Sequence, residues 1–199
     1  MQLHEAIELI RPAVDGAGGT WADFGAGKGT FTRALAELIG PAGRVLAIDR
    51  DAAALRTLRR LGTESHPTAA AIHVIAADVR AVDHIPELAD VALDGVVLGN
   101  VLHFLPDAAD VLSCVAAHVR PGGRVIVIEY DGVTPSRWVP YPLPISRFFA
   151  IAESAGLLNI AVVGERKSAF LGKLYCAAAT RGTATTAEGR AANGSNADC

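Results

Sequence analysis

The chain has 199 residues, room for one domain with a sizeable core and too little for two ordinary ones. Lys and Arg number 18 against 21 Asp and Glu, a formal charge of −3, which excludes a protein built chiefly to grip nucleic-acid phosphates. Hydrophobic residues make up 51% and charged residues 20%, so wholesale disorder is excluded as well. No run approaches the roughly 18 apolar residues of a membrane helix; Asp90 and Asp94 interrupt the richest region. The first ten residues, M-Q-L-H-E-A-I-E-L-I, carry two glutamates and no basic-then-apolar export pattern. Three cysteines fit neither a disulfide framework nor a zinc knuckle. The expectation is a cytoplasmic single-domain protein, monomer or homodimer, with no membrane partner and no metal.

Residues 1–14 read as a short amphipathic helix with Leu3, Ala6, Ile7 and Ile10 on one face, followed by a glycine-rich hinge, D-G-A-G-G, at 15–19. A main domain is expected over 20–180. Apolar runs at 20–24, 44–49, 72–77, 94–99 and 123–130 read as strands. Candidate helices lie between them at 29–39, 51–61 and 107–119, with a shorter one at 83–89. Several runs are apolar at nearly every position, as expected of strands covered on both faces. Strand–helix alternation implies a parallel sheet with right-handed crossovers, a doubly wound α/β sandwich. Segment 133–144 holds Pro135, Pro140, Pro142 and Pro144 with Trp138 and Tyr141 and reads as an irregular loop. A helix at 145–155 ends at Gly156, and runs at 159–164 and 173–179 are close enough to pair as an antiparallel hairpin. Residues 181–199, rich in Ala, Gly, Thr and Asn, read as a disordered tail.

The sharpest motif is D-F-G-A-G-K-G at 23–29, directly after the first strand and opening the first long helix. Glycines there permit positive φ and close approach of backbone amides to a ligand. Asp49 ends the second strand, where in Rossmann-like sheets a carboxylate accepts two hydrogen bonds from a ribose diol. Asp78 ends the third strand, where a side chain meets the edge of an adenine. A P-loop is excluded because Ala22 stands where its first glycine is required. A dinucleotide fingerprint needs a third glycine where Thr30 stands, so that reading survives only as G-x-G-x-G.

Acidic-x-G-x-G-x-G resembles motif I of the class I S-adenosylmethionine-dependent methyltransferases. The resemblance covers roughly residues 20–179 and includes Asp49, Asp78, N-V-L-H-F at 100–104 and P-G-G-R-V-I-V-I-E at 121–129. The N-x-L-H stretch is most similar to a small-molecule branch that includes quinone-biosynthesis methyltransferases. The resemblance implies a Rossmann-like seven-stranded sheet, mostly parallel, ordered 3-2-1-4-5-7-6 with an antiparallel C-terminal hairpin strand, and S-adenosylmethionine as cofactor. It would set Gly25, Ala26 and Gly27 along the methionine moiety, Asp23 near its ammonium, and Asp49 on both ribose hydroxyls. Arg50 would lie along the adenine face, Asp78 and Val79 at its edge, and Asn100 at the amino-acid end. Lys28 reads as an exposed lysine in the first turn of a helix.

For the methyl acceptor, implied to be a small molecule, His103 reads either as a general base or as a histidine packed beside Phe104. Strand alternation allows either Tyr130 or the pair Glu129 and Asp131 to face the acceptor, but not both sets. Trp138 and Tyr141 read either as an aromatic wall for the acceptor or as cover for the core. G-N-V-L-H lacks the N/D-P-P-Y pattern of enzymes that methylate base amino groups, against a nucleic-acid acceptor. Two other functions stay open: an NAD(P)-dependent oxidoreductase, and a domain that binds S-adenosylmethionine without catalysing transfer.

Overall fold

The computed structural model describes residues 1–63, 67–168 and 172–182. The expected tail therefore lies, apart from residues 181 and 182, outside the described residues. Helix α1 (Leu3–Ile10) runs into a 3₁₀ turn at Arg11–Ala13, and β1 (Gly19–Phe24) follows. The next elements are α2 (Thr30–Ile39), β2 (Gly43–Asp49), α3 (Ala52–Thr63), β3 (Ala71–Ala76) and β4 (Leu93–Gly99). Then come α4 (Ala108–Ala117), β5 (Val119–Asp131), α5 (Ile145–Ser154), β6 (Leu157–Lys167) and β7 (Lys173–Arg181). The seven strands form one sheet ordered β3-β2-β1-β4-β5-β7-β6, parallel except for β7, which runs antiparallel to both its neighbours.

The near-continuous apolar runs have the expected cause. Ala22, Phe24, Leu46, Ile48, Val96, Leu98, Val125 and Val127 face one layer, which holds α4 and α5. Their alternating neighbours Trp21, Val45, Val97, Ile126 and Ile128 face the other, which holds α1 and α2, while Ala47 packs with Leu58 of α3. Two cores therefore sandwich the sheet, and a strand residue's parity decides which layer it enters.

Two differences from the expected elements have physical reasons. The short helix at 83–89 is instead a pair of 3₁₀ turns, Val79–His84 and Pro86–Leu88. Pro86 has no amide to continue a helix and disfavours helical geometry at Ile85, which is extended (φ −83°, ψ 109°). Strand β6 is longer than the apolar run at 159–164 because pairing with β7 extends it in both directions, past Leu158 and on through Lys167. Among the described residues no helix is long and apolar enough to cross a membrane.

At the centre of the sheet the Trp21 ring lies over Gly95, its register partner on β4. A Cβ added at Gly95 would sit 2.6 Å from both Cε3 and Cη2 of Trp21. Gly95→Ala should therefore destabilise the fold by about 1–3 kcal/mol through overpacking. Urea denaturation measures this, and Trp21→Leu in the same background should recover part of the loss.

Candidate functional site

The carboxyl ends of β1 to β5 meet in one cleft of about 680 Å³. Strand β6 is parallel to β5, so its C-terminal residues and the start of β7 reach the same edge. The cleft opens beside β1 and β4, the neighbouring strands whose following helices, α2 and α4, leave to opposite layers.

The loop after β1 forms its floor. The amides of Gly25 and Ala26 both donate to the Ile48 carbonyl, at 2.8 and 3.0 Å, folding the chain back on itself. Gly25 has φ +69°, and a Cβ there would overlap Val101 Cγ2 on the turn after β4. Gly27 has φ +55°, only the Gly25 carbonyl oxygen comes within 4 Å of where a Cβ would stand, and the residue lines the cleft.

Three aspartates end β1, β2 and the connection after β3, in three different environments. Asp23 is 1% exposed and accepts from the Thr32 hydroxyl at 2.6 Å. Burial pushes its carboxyl up to about 7; the Thr32 hydroxyl opposes the rise and the Asp49 charge adds to it. Asp49 accepts from the Gly27 amide at 2.7 Å with one oxygen and from the Asp51 amide at 2.8 Å with the other. Asp78 pairs with Arg80 at 3.1 Å and with Arg50 at 2.8 Å. The Arg80 hydrogen bond, reinforced by Arg50 and outweighing partial desolvation, holds Asp78 well below the usual carboxylate range. Asp23, Gly25, Ala26, Gly27, Asp49, Arg50, Asp78, Val79 and Asn100, the residues that the resemblance gathers around a cofactor, all line this one cleft.

Asn100 is unusual on two counts. It is a non-glycine residue at φ +58°, a left-handed conformation that most side chains avoid. Its Oδ1 is also a buried polar atom with no hydrogen-bond partner among the described residues.

The residues expected at an acceptor are separated by the structure. Tyr130 shares parity with Ile126 and Ile128 and lines the cleft. Glu129 shares parity with Val125 and Val127, points into the opposite layer, and is completely buried. There its Oε2 lies 2.5 Å from His103 Nδ1 and its Oε1 accepts from the His103 amide at 3.2 Å. His103 is only 2% exposed and is not part of the cleft wall. Its ring packs on Phe104 (centroids 4.3 Å apart) and Tyr130 (5.9 Å), which do line the wall. Asp131 also turns away from the cleft, accepting from the Ile145 amide at the start of α5 at 3.2 Å. Trp138 and Tyr141 do not line the cleft either. They stand exposed on the loop beside it, anchored by the Tyr141 amide donating to the His103 carbonyl at 2.9 Å.

Several lining residues have no counterpart among the expected ones: Glu5 of α1, Arg166 and Lys167 at the end of β6, and Leu174 of β7. Glu5 and Arg166 form an ion pair. The antiparallel hairpin was the available signal, because a strand that pairs with an antiparallel neighbour of β5 ends at the same edge as β5.

Comparison with known proteins agrees with this geometry. A family model described as a methyltransferase domain matches residues 22–125, just over half the chain. An uncharacterised 37.1 kDa protein in transposon TN4556 of Streptomyces fradiae is 31% identical over 145 residues. The match takes in 72% of this chain and only 39% of that one, so the chain spans well under half of this relative. The crystal structure of the CurJ carbon methyltransferase superposes with a TM-score of 0.68 at 17% identity, over 87% of this chain and 51% of that one. Magnesium protoporphyrin IX methyltransferase from Synechocystis, solved with bound S-adenosylmethionine, gives 0.65 at 17% identity over 90% and 77%. The chain belongs to the methyltransferase-domain family, in its class I, S-adenosylmethionine-dependent form.

Proposed function

We propose that this domain carries a methyl group from S-adenosylmethionine to a small-molecule acceptor lying over β4, β5 and β7. Asn100 carries the reading. Its Oδ1 is a buried acceptor without a donor among the described residues, held in a strained backbone conformation beside the glycine loop. An ammonium group is the donor such an atom lacks, and the neighbouring Asp23 carboxylate suits the same charge. Each Asp49 oxygen accepts one backbone amide and keeps a lone pair, enough for two vicinal hydroxyls. Asp78 and Val79, with Arg50 pinned to Asp78, form the end of the cleft suited to a heteroaromatic base.

A methyl sulfonium supplies a reactive electrophile when bound, so the chain's task is chiefly alignment and exclusion of water. Tyr130 lines the cleft at the end of β5. We assign proton handling to it, with His103 as a positioning residue that is fixed by Glu129 and packs against the Tyr130 and Phe104 rings. Trp138 and Tyr141 stand where a longer acceptor would leave the cleft.

Calorimetry with S-adenosylhomocysteine tests the cofactor site directly. Asp49→Ala should weaken binding by about 1–3 kcal/mol, the loss of charged acceptors for buried hydroxyls. Unchanged affinity, or tight binding of NADH in place of the nucleoside, overturns the reading.

Asp23 supplies a pH dependence with a definite sign. The free protein keeps a proton on Asp23 until about pH 7, and an ammonium ligand favours the ionised form. Affinity for S-adenosylhomocysteine should therefore fall about tenfold per pH unit below 7 and level off above it. Asp23→Asn should flatten that profile. Stability moves the other way. The native carboxyl is raised from the ordinary value of 3.8, so the folded state holds a proton that the unfolded state releases across that window. The cost grows as pH rises from about 4 to about 7, and the melting temperature of Asp23→Asn should gain on wild type across that window and hold its lead above it.

Tyr130→Phe removes the phenol and leaves the ring in place. With an acceptor found by a metabolite panel scored for S-adenosylhomocysteine release, kcat should fall roughly a hundredfold. S-adenosylhomocysteine affinity should be unchanged; an unchanged kcat would remove Tyr130 from the chemistry.

A further inference from the structure

We propose that the loop after β5 docks this domain on an anionic membrane surface, with Trp138 and Tyr141 seated among the lipid headgroups and Arg137 and Arg147 against their charges. The inference goes beyond the proposed methyl transfer and does not depend on it.

The loop displays its aromatics on a fixed frame. Ser136 and Val139 exchange both backbone hydrogen bonds, at 3.0 and 3.2 Å, which leaves Arg137 and Trp138 at the apex of a tight turn. Ser136 Oγ braces that apex by accepting from the Trp138 and Val139 amides at 3.3 and 3.2 Å. Behind it Val139 and Leu143 are buried, and the Leu143 carbonyl accepts from the Tyr175 hydroxyl at 2.8 Å. Apolar side chains flanking the tip thus turn inward, whereas Trp138 and Tyr141 stay 53% and 42% exposed. Four of the exposed large hydrophobics among the described residues, Met1, Phe104, Trp138 and Tyr141, stand at the ligand edge. Leu158 alone is elsewhere, at the start of β6 on the opposite edge.

Charge decides what these rings face. From Gly132 to Ala152 the chain carries Arg137 and Arg147 and no acidic residue. Arg137 lies over the Trp138 ring, 4.6 Å from its centroid, and Arg147 donates to the Pro142 carbonyl at 2.9 Å. Ion pairs among the described residues engage Arg50, Arg80, Arg120, Arg124 and Arg166, but neither of these two. Acids on the acceptor side of this edge are held elsewhere: Glu5 on Arg166, Asp131 and Glu165 on Lys173, and Asp107 near Arg80. Asp110, in the first turn of α4, pairs with neither arginine. Glu153 lies in the last turn of α5, which returns the chain to the start of β6 on the opposite edge. The chain's net −3 is therefore carried away from the loop, and at physiological salt a surface feels only charges within about 8 Å.

Aromatic rings with arginines beside them and no acid have the composition of a headgroup anchor. Phe104, Trp138 and Tyr141 together expose roughly 300 Å². A stable protein interface needs about 800 Å² per partner. A convex tip of this size enters a deformable lipid surface without a matched pocket. A loop seated among headgroups also needs no long apolar run, which is why the sequence shows none.

The test uses the full chain with vesicles of phosphatidylcholine alone and of phosphatidylcholine mixed with phosphatidylglycerol. Co-sedimentation should favour the mixed vesicles about tenfold or more, and added salt should reduce that preference. The chain has two tryptophans, and Trp21 is buried, so a fluorescence change reports Trp138. Its emission should shift to the blue on the mixed vesicles and be quenched by lipids brominated near the headgroup. Arg137→Gln and Arg147→Gln should each weaken binding about fivefold. Trp138→Ala combined with Tyr141→Ala should weaken it about tenfold or more, with the melting temperature and S-adenosylhomocysteine affinity unchanged. Arg59→Gln with Arg60→Gln, on the basic face of α3, should leave binding intact. The proposal is overturned if neither vesicle binds at millimolar lipid, if binding occurs without the Trp138 shift, or if the α3 variant loses it instead. It is also overturned if polyglutamate shifts Trp138 as strongly as the vesicles do, which would assign the loop to an acidic protein. S-adenosylhomocysteine binding is measured separately: its absence refutes the methyltransferase reading alone, and a failure on vesicles refutes the docking surface alone.

Discussion

Between β1 and β4 the sheet changes direction: the chain leaves β1 for α2 in one layer and leaves β4 for α4 in the other. The two departing loops cannot cover the gap they open, and everything chemical in this chain is arranged around that gap. Its depth depends on one steric fact. Gly25 and Val101, on the facing loops, are so close that a Cβ on the former would overlap the side chain of the latter. That closeness brings the glycine loop and Asn100 to a single cleft. Asn100 adopts φ +58°, and its Oδ1 has no partner there among the described residues. Local strain and an unsatisfied polar atom are costs that a structure serving only topology would have lost to substitution with glycine.

The charged groups around the gap are tuned by their surroundings. Asp23 sits beneath α2, where burial works against its charge, and among the described residues Thr32 is the side chain hydrogen-bonded to it. Asp49 is spanned by two backbone amides, which fix its plane without neutralising it. Asp78 is at the open end, where two guanidiniums hold it ionised. Three residues of one type thus differ in charge and freedom within one cleft.

Much of this was legible in the chain itself. Continuous apolar runs such as V-L-A-I and V-V-L marked strands buried on both faces, and the glycine loop marked where the first crossover begins. The order β3-β2-β1-β4-β5-β7-β6 is the one the motif resemblance implies. Period-two alternation limited Glu129, Tyr130 and Asp131 to two exclusive sets, but parity alone does not say which layer holds the cleft. Only the packing of α1 and α2 against Ile126 and Ile128 assigns Tyr130 to the open side. His103 illustrates a different limit. Its position after β4 is visible in sequence, yet its burial follows from Glu129, which is distant in the chain and comes within reach only because β4 and β5 pair. A local reading also overrated 83–89, where apolar spacing suits a helix and Pro86 forbids one.

The acceptor half of the cleft was least legible because it is assembled from remote pieces: Glu5 from the first helix, Tyr130 from the middle of the chain, and Arg166 and Lys167 from near its end. No contiguous motif encodes such a wall; its composition follows from topology. Strand β7 inserts antiparallel between β5 and β6, which turns β6 back into the direction of the parallel strands. Its polar C-terminal residues, G-E-R-K, are thereby delivered to the ligand edge instead of the opposite one. Arg166 and Lys167 thereby reach the cleft. Residues that look in sequence like the frayed, solvated end of an edge strand are placed, by this reversal of direction among the described strands, at the rim of the cleft.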